Sequence, residues 1–202
     1  MSRVAERLGF TTMALYRHVR SKDELVALMV DAAAEMPTAL DGASPAGWRT
    51  GLERWSWDLL GVVRRHRWLL AVPLGRLPFG PSRLAWLERG LSDLAETALS
   101  EDEKAAIILL LNGYVFTEAR FAAELGDPTQ ESDVEDDVTT EHGTQLSRLV
   151  DAERFPALHR ALDAGIFDPS RSDRDADFAF GLERILDGIE RLVTQRAAPE
   201  HK

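Results

Sequence analysis

Apolar residues recur at intervals of three and four along almost the whole chain, and this helical spacing is the feature that most restricts its fold. The clearest example is a run of five apolar residues, each about one helical turn beyond the last: Trp48, Leu52, Trp55, Leu59 and Val62. No segment alternates apolar and polar residues with the period of two that a half-buried strand requires. The sequence therefore predicts an all-α protein.

Helix start and stop signals divide this pattern into separate helices. Two capping boxes, Ser21 with Glu24 and Ser100 with Glu103, each predict a helix start. The helix after Ser100 is apolar almost all round over residues 105–116, which predicts burial on both sides. The acidic segment 126–141 predicts a solvated loop. The predicted helices span residues 2–8, 12–18, 22–36, 45–67, 82–99, 101–125, 142–150, 153–164 and 175–196.

Basic charge is concentrated at the N-terminal end of an acidic chain. The net charge is −10, yet residues 1–22 carry about +4. An acidic body with a basic tip is typical of a protein that touches a polyanion with one end. The absence of cysteine excludes thiol chemistry and fits a cytoplasmic location. No apolar run reaches the length of a membrane span, so a membrane partner is not expected.

The basic tip has the pattern of a helix-turn-helix, in which two short helices flank a turn at Gly9. At about 100° per residue, Leu15 and Val19 face inward while Met13 and Arg17 face outward. The predicted base-contacting residues are Thr12, Met13, Ala14 and Arg17. The predicted phosphate-contacting residues are Thr11, Tyr16, His18 and Lys22. An ordinary helical hairpin with a solvated basic face is the alternative.

The segment VAERLGFTTMALYRHVRSKDEL, residues 4–25, resembles the DNA-binding segment of the TetR family of transcriptional regulators. The resemblance rests on a Gly-hydrophobic turn, a Leu-Tyr-x-His ending of the second helix and a Lys-x-x-Leu start to the next helix. It implies the base-contacting and phosphate-contacting positions named above. Family members carry an additional helix before this segment. We hypothesise that the present chain starts at an internal Met, without that first helix.

A near repeat in the last predicted helix indicates a second surface. GLERIL at residues 181–186 and GIERLV at residues 188–193 are seven residues apart, as in a coiled coil. The stripe that they form predicts a dimer interface of Phe178, Gly181, Leu182, Ile185, Gly188, Ile189 and Leu192. A core helix of the monomer is the alternative.

Residues 45–196, including NGYVF at 112–116, are similar to the C-terminal domain of tetracycline-repressor-like TetR proteins. This similarity implies a homodimer held by a four-helix bundle, made from the helix at 101–125 and the last helix of each subunit. We expect a DNA-binding domain at 1–40 and a ligand-binding and dimerisation domain at 41–202. The similarity also implies a small-molecule pocket, with candidate residues Trp55, Trp86, Asn112, Tyr114, Phe116, Glu118, Arg120 and Phe121.

These features together imply a ligand-responsive transcriptional regulator, a repressor by the family's usual mode. It would bind double-stranded operator DNA as a homodimer and be released by a small-molecule inducer. The alternative is a helical ligand- or partner-binding dimer that no longer binds DNA because the first helix is missing. An enzyme is not expected, because there is no Ser-His-Asp motif and no phosphate-cradling glycine loop. No cofactor and no metal is expected, since His66, His142 and His159 are scattered.

Overall fold

The computed structural model describes residues 1–35, 46–73, 75, 80–124, 149–165 and 173–198. Within these ranges there is no β-strand, and the all-α prediction is confirmed. The helices, in chain order, are α1 (Ser2–Arg7), α2 (Thr12–Tyr16), α3 (Lys22–Ala34), α4 (Trp48–Arg65), α5 (Pro81–Asp93), α6 (Glu101–Glu124), α7 (Pro156–Asp163) and α8 (Arg174–Ala197). A 3₁₀ helix, Arg67–Ala71, follows α4.

Most helix bounds lie within a few residues of the predicted ones, with two exceptions. α5 begins at Pro81 and ends at Asp93, short of the predicted end at Leu99. α7 begins at Pro156 rather than at residue 153, because proline fits the first turn of a helix, where its missing N–H costs nothing. The predicted loop at 126–141 lies outside the described residues. So does nearly all of the predicted helix at 142–150.

The turn between α1 and α2 has the geometry of a Schellman motif. Gly9 adopts a positive φ of 72°, which glycine reaches without the steric cost of a side chain. The backbone N–H of Phe10 donates to the carbonyl of Ala5 (2.9 Å), and that of Gly9 donates to the carbonyl of Glu6 (3.0 Å). The predicted helix stop at Gly9 is therefore confirmed, and it fixes the direction in which the chain enters α2.

The capping box at Ser100 is formed in full, whereas at Ser21 only the hydroxyl half is formed, because the Glu24 carboxylate accepts from the N–H of Arg20 instead of that of Ser21. The Ser21 hydroxyl oxygen accepts a hydrogen bond from the Glu24 N–H (3.0 Å) at the start of α3. At α6 the Ser100 N–H donates to the Glu103 carboxylate (3.0 Å), and the Glu103 N–H donates to the Ser100 hydroxyl (3.3 Å). These bonds satisfy N–H groups that a helix start leaves without a partner in the helix itself.

Two compact units make up the chain. One consists of Met1–Ala119 with Ile185–Lys202, and the other of Arg120–Arg184. In the first unit α4 packs against α5, and α3 packs against α5 as well. In the second unit the Arg174 guanidinium donates to the carbonyl of Ala122 (3.1 Å). The predicted domain boundary between residues 40 and 41 lies outside the described residues and stays a prediction.

The core of the first unit is built from apolar side chains of α4 to α6. Leu52 and Val63 of α4 and Leu111 and Val115 of α6 have no exposed surface. The apolar pattern of α6 predicts burial on both sides, but within the single chain only one side is buried. Leu109 is 72% exposed and Leu110 is 53% exposed, so one face of α6 is uncovered. An all-round apolar pattern predicts burial, but it does not say whether the same chain supplies the covering residues.

Candidate nucleic-acid interface and ligand cavity

The outer face of α2 is the part of the basic tip that is open to a partner. Met13 is 77% exposed, and the side chain of Arg17, the C-cap residue of α2, is exposed too. Val19 is only 4% exposed, and Leu15 is half-buried. The predicted facing of these four side chains is therefore confirmed. Side chains so placed can reach base edges in a DNA groove while the inner pair anchors the helix.

The remaining predicted DNA-contacting residues surround this face. The Thr11 hydroxyl oxygen accepts a hydrogen bond from the Ala14 N–H (3.1 Å), so Thr11 caps α2 and positions it. Tyr16, His18 and Lys22 are exposed, whereas Thr12 and Ala14 are half-buried at the start of the helix. Contact of these residues with bases or phosphates stays a prediction.

Helix α3, which follows the basic tip, is held to the start of α5 by a carboxylate. Asp31 accepts hydrogen bonds from the backbone N–H groups of Ser82 (3.3 Å) and Arg83 (3.1 Å). These N–H groups belong to the first turn of α5, where a negative charge also interacts favourably with the helix dipole. A side chain at Gly80 would overlap the Asp31 carboxyl group, so the close approach depends on glycine at this position.

The same C-terminal end of α3 is also held by an indole ring. The Trp86 N–H donates to the carbonyls of Ala34 (2.9 Å) and Glu35 (3.1 Å). Trp55 contacts Trp86 edge to face, with ring centroids 6.0 Å apart, and its N–H donates to the Trp86 carbonyl (2.9 Å). The Arg89 guanidinium lies 5.6 Å from the centre of the Trp86 ring. The Trp86 ring, which bonds the end of α3, is thus held by Trp55 and by Arg89.

A cavity of about 440 Å³ lies in the first unit, beside these contacts. Its wall is formed by Val30, Ala34, Trp55, Leu59, Val62, Val63, Leu69, Gly75, Arg83, Trp86, Leu87, Ala105, Ile108, Leu109, Asn112 and Phe116. The volume falls in the range of small-molecule sites, and the wall is mostly apolar, as such sites usually are. The wall contains residues of both α3 and α5, so a bound molecule would touch both helices.

Four of the eight predicted pocket residues line this cavity, namely Trp55, Trp86, Asn112 and Phe116. The other four, Tyr114, Glu118, Arg120 and Phe121, are not part of its wall. Asn112 and Phe116 lie one turn apart on α6, whereas Tyr114 lies half a turn away on the same helix. Arg120 and Phe121 are exposed residues of the second unit. These four residues do not line this cavity, and their contact with a ligand stays a prediction.

Sequence reasoning missed Arg83, although it lies three residues before Trp86 on α5 and so shares a face with it. Burial lowers the pKa of the Arg83 guanidinium below its ordinary value, and the nearby Asp31 carboxylate opposes that shift. The aliphatic part of the wall was missed as well, because it comes from helices that are far apart in sequence. Among the described residues, no three His, Asp or Glu side chains gather as a metal site.

The apolar stripe of α8 packs within its own chain, which corrects part of the predicted dimer interface. Phe178 and Leu182 are each 1% exposed and Ile189 is 5% exposed, so they have almost no surface left for a partner. Gly181, Ile185 and Leu192 are half-buried, and Gly188 is exposed. Coiled-coil spacing produces an apolar face, and here the same chain covers much of it.

Two ion-pair clusters fasten α8 to other helices of the first unit. Arg49, at the start of α4, pairs with Asp187 (2.6 Å) and Glu190 (3.1 Å). Arg196 pairs with Glu103 at the start of α6 (2.6 Å), and this hydrogen-bonded pair lowers the pKa of the Glu103 carboxyl group. The C-terminal half of α8 is therefore a structural part of the first unit.

An uncovered apolar face remains on α6, around Leu109, Leu110 and Gly113. By length and composition alone α6 could cross a membrane, with a mean hydropathy of 1.3 over its most apolar window. Core helices of soluble proteins pass the same test, so one such helix is weak evidence of a membrane span. Its first turn carries three acidic residues, and the ion pair between Glu103 and Arg196 ties this helix to α8.

Comparisons with known proteins agree on one family. Residues 41–193 match the family described as Tetracyclin repressor-like, C-terminal domain. HTH-type transcriptional repressor DrrR1 of Streptomyces coeruleorubidus is 34% identical over 198 residues, which span 97% of this chain and 71% of that protein. The TetR family protein ActR of Streptomyces coelicolor, solved with actinorhodin, has a TM-score of 0.77 at 24% identity, covering 95% of this chain and 86% of that one. Its complex with (S)-DNPA gives 0.71 at 26% identity, covering 94% and 85%.

Proposed function

Because this chain belongs to the TetR family of transcriptional regulators, we propose that it represses transcription by binding operator DNA and is released by a small-molecule inducer. The observation that carries the proposal is the exposure of Met13 and Arg17 on α2, with Val19 buried behind them. In this arrangement Arg17 donates to a guanine and Met13 contacts base edges. A repressor of this kind works in the cytoplasm, where its DNA lies.

The assigned DNA contacts fall into two groups, one to the bases and one to the phosphate backbone. Thr12, Met13, Ala14 and Arg17 face the bases, while Thr11, Tyr16, His18 and Lys22 hold the phosphate backbone and set the orientation of α2. The Thr11 oxygen is already used as a helix cap, so its hydroxyl hydrogen is what it offers to a phosphate. The alternative of a dimer that no longer binds DNA is less favoured, since the matched repressor aligns with 97% of this chain.

Release by an inducer follows from the position of the cavity. Val30 and Ala34 of α3 and Trp86 of α5 all belong to its wall. A molecule that prefers a wider separation of α3 and α5 shifts α3, which leads directly into α2. The loss of operator affinity then equals the ligand's differential affinity for the two arrangements. Actinorhodin bound to ActR supports a ligand site in this fold.

The uncovered face of α6 serves as the dimer surface in this proposal. Leu109, Leu110 and Gly113 present it, and Gly188 of α8 is exposed in the same unit. The half-buried Gly181, Ile185 and Leu192 contribute a smaller part of the dimer surface. Pairing with a second copy gives an isologous contact, in which each α6 and α8 meets its counterpart. Two copies place two α2 helices on two half-sites.

DNA binding is tested by fluorescence anisotropy with labelled DNA from upstream of the protein's own gene. The wild-type chain should bind, and the complex should weaken steeply with salt because phosphate contacts release counterions. Arg17→Ala should reduce affinity about tenfold or more. Arg54→Ala, which removes an exposed arginine from α4, is the matched control and should keep full affinity. Equal affinity of the Arg17 variant and the wild type would refute the contact assignment.

A further inference from the structure

The cavity wall combines flat aromatic surfaces with an arginine. Trp55, Trp86 and Phe116 contribute rings, and the indole N–H groups of both tryptophans already donate to backbone carbonyls. The tryptophans therefore offer ring surface rather than hydrogen bonds to a bound molecule. Among the described residues of the wall, Arg83 alone carries a charge, and Asn112 adds one amide. No described wall residue is acidic.

Arg83 connects this wall to the contact that holds α3. Its backbone N–H donates to Asp31, and its guanidinium interacts electrostatically with the same carboxylate. Part of the side chain is buried, and this desolvation lowers the pKa of Arg83. A desolvated guanidinium gains most from a carboxylate or phenolate, which accepts two parallel hydrogen bonds from it.

We infer that the cavity takes a flat aromatic molecule with an acidic group, that Arg83 pairs with this group, and that Asp31 responds to its charge. The inference rests on the proposed function, because it names the ligand class of the same site. An anion at Arg83 adds a second negative charge beside Asp31, and like charges repel. It therefore weakens the hydrogen bonds that Asp31 accepts from the first turn of α5, and these bonds hold α3 to α5.

Two probes that differ only in charge separate this inference from general apolar binding. Anthracene-2-carboxylate is a flat aromatic acid, and anthracene-2-carboxamide has nearly the same shape without the charge. We expect isothermal titration of the full chain at low salt to show the acid binding about tenfold more tightly than the amide. Arg83→Gln should abolish this preference, while Arg54→Gln, an exposed control on α4, should retain it.

Asp31→Asn tests the sensing role with an effect that a damaged fold would not produce. Removing the repelling charge should tighten binding of the acid several-fold and leave the amide unchanged. A variant with a merely disturbed cavity would weaken both probes alike. Thermal melting of each variant checks that the helical fold is kept.

The outcomes distinguish this inference from the proposed function. Equal binding of the acid and the amide by the wild type would overturn the inference and leave a ligand-responsive repressor standing. Failure of both probes to bind would overturn the assigned ligand class. Operator binding measured by anisotropy tests the repressor function independently of either result. An acid preference that survives Arg83→Gln would contradict the role of Arg83.

Discussion

Gly80→Ala tests the contact through which the cavity is coupled to α3. The backbone at Gly80 has φ −96° and ψ 173°, which alanine adopts without strain. The new methyl group would overlap the Asp31 carboxyl group, which must leave the N–H groups of Ser82 and Arg83. Loss of such a helix cap costs about 0.5–2 kcal/mol. Replacing glycine returns about 0.4–1 kcal/mol through the unfolded chain, so we expect a net destabilisation of at most about 1.6 kcal/mol.

A double-mutant cycle with Asp31→Ala isolates the steric cause. Once the carboxyl group is gone, the same Gly80→Ala change should stabilise the protein by about 0.4–1 kcal/mol. The free energy of unfolding is measured by urea titration with tryptophan fluorescence, at one fixed protein concentration because a dimer depends on concentration. The coupling energy between the two sites should be about 0.5–2 kcal/mol. An equal effect of Gly80→Ala in both backgrounds would refute the reasoning.

Three further changes test other contacts. Trp86→Phe removes the N–H that donates to the carbonyls ending α3, and it should lower the free energy of unfolding in urea by about 1 kcal/mol. Glu103 has a pKa lowered from 4.5 by its hydrogen bond to Arg196, so its contribution to stability is present above pH 4.5 and is lost as the pH falls through the lowered pKa. Urea titrations across that acidic range should show a smaller fall for Glu103→Gln, and an unchanged fall would contradict the pairing. Leu110→Glu should dissociate the proposed dimer in light scattering, whereas Leu84→Glu, at an exposed leucine of α5, should not.

Local sequence was sufficient to predict the facing of α2. The helical spacing places Met13 and Arg17 outside and Val19 inside, because the position of a residue around a helix depends only on its number along that helix. The turn at Gly9 was predictable for the same reason, since a Schellman motif involves only a few consecutive residues. The two capping boxes likewise depend on residues three apart.

Contacts between distant segments could not be predicted in this way. The stripe of α8 was correctly identified as an apolar face, but periodicity does not show whether a partner or the same chain covers it. Asp31 and Arg83 are 52 residues apart in the sequence, and nothing in the local sequence around either residue indicates that they are in contact. The cavity wall combines residues of α3, α4, α5 and α6. Because the packing of these helices cannot be read from local sequence, the sequence identifies only the aromatic residues and Asn112 of this wall.

The central claim is that the outer face of α2 reads DNA, and selection of binding sites from a random DNA pool tests it most directly. The wild-type chain should enrich two half-sites related by two-fold symmetry, each with a fixed guanine opposite Arg17. Arg17→Ala should lose the preference for that guanine and keep the preferences at the neighbouring positions. Enrichment of the same guanine by both proteins, or of no sequence by the wild type, would contradict the claim.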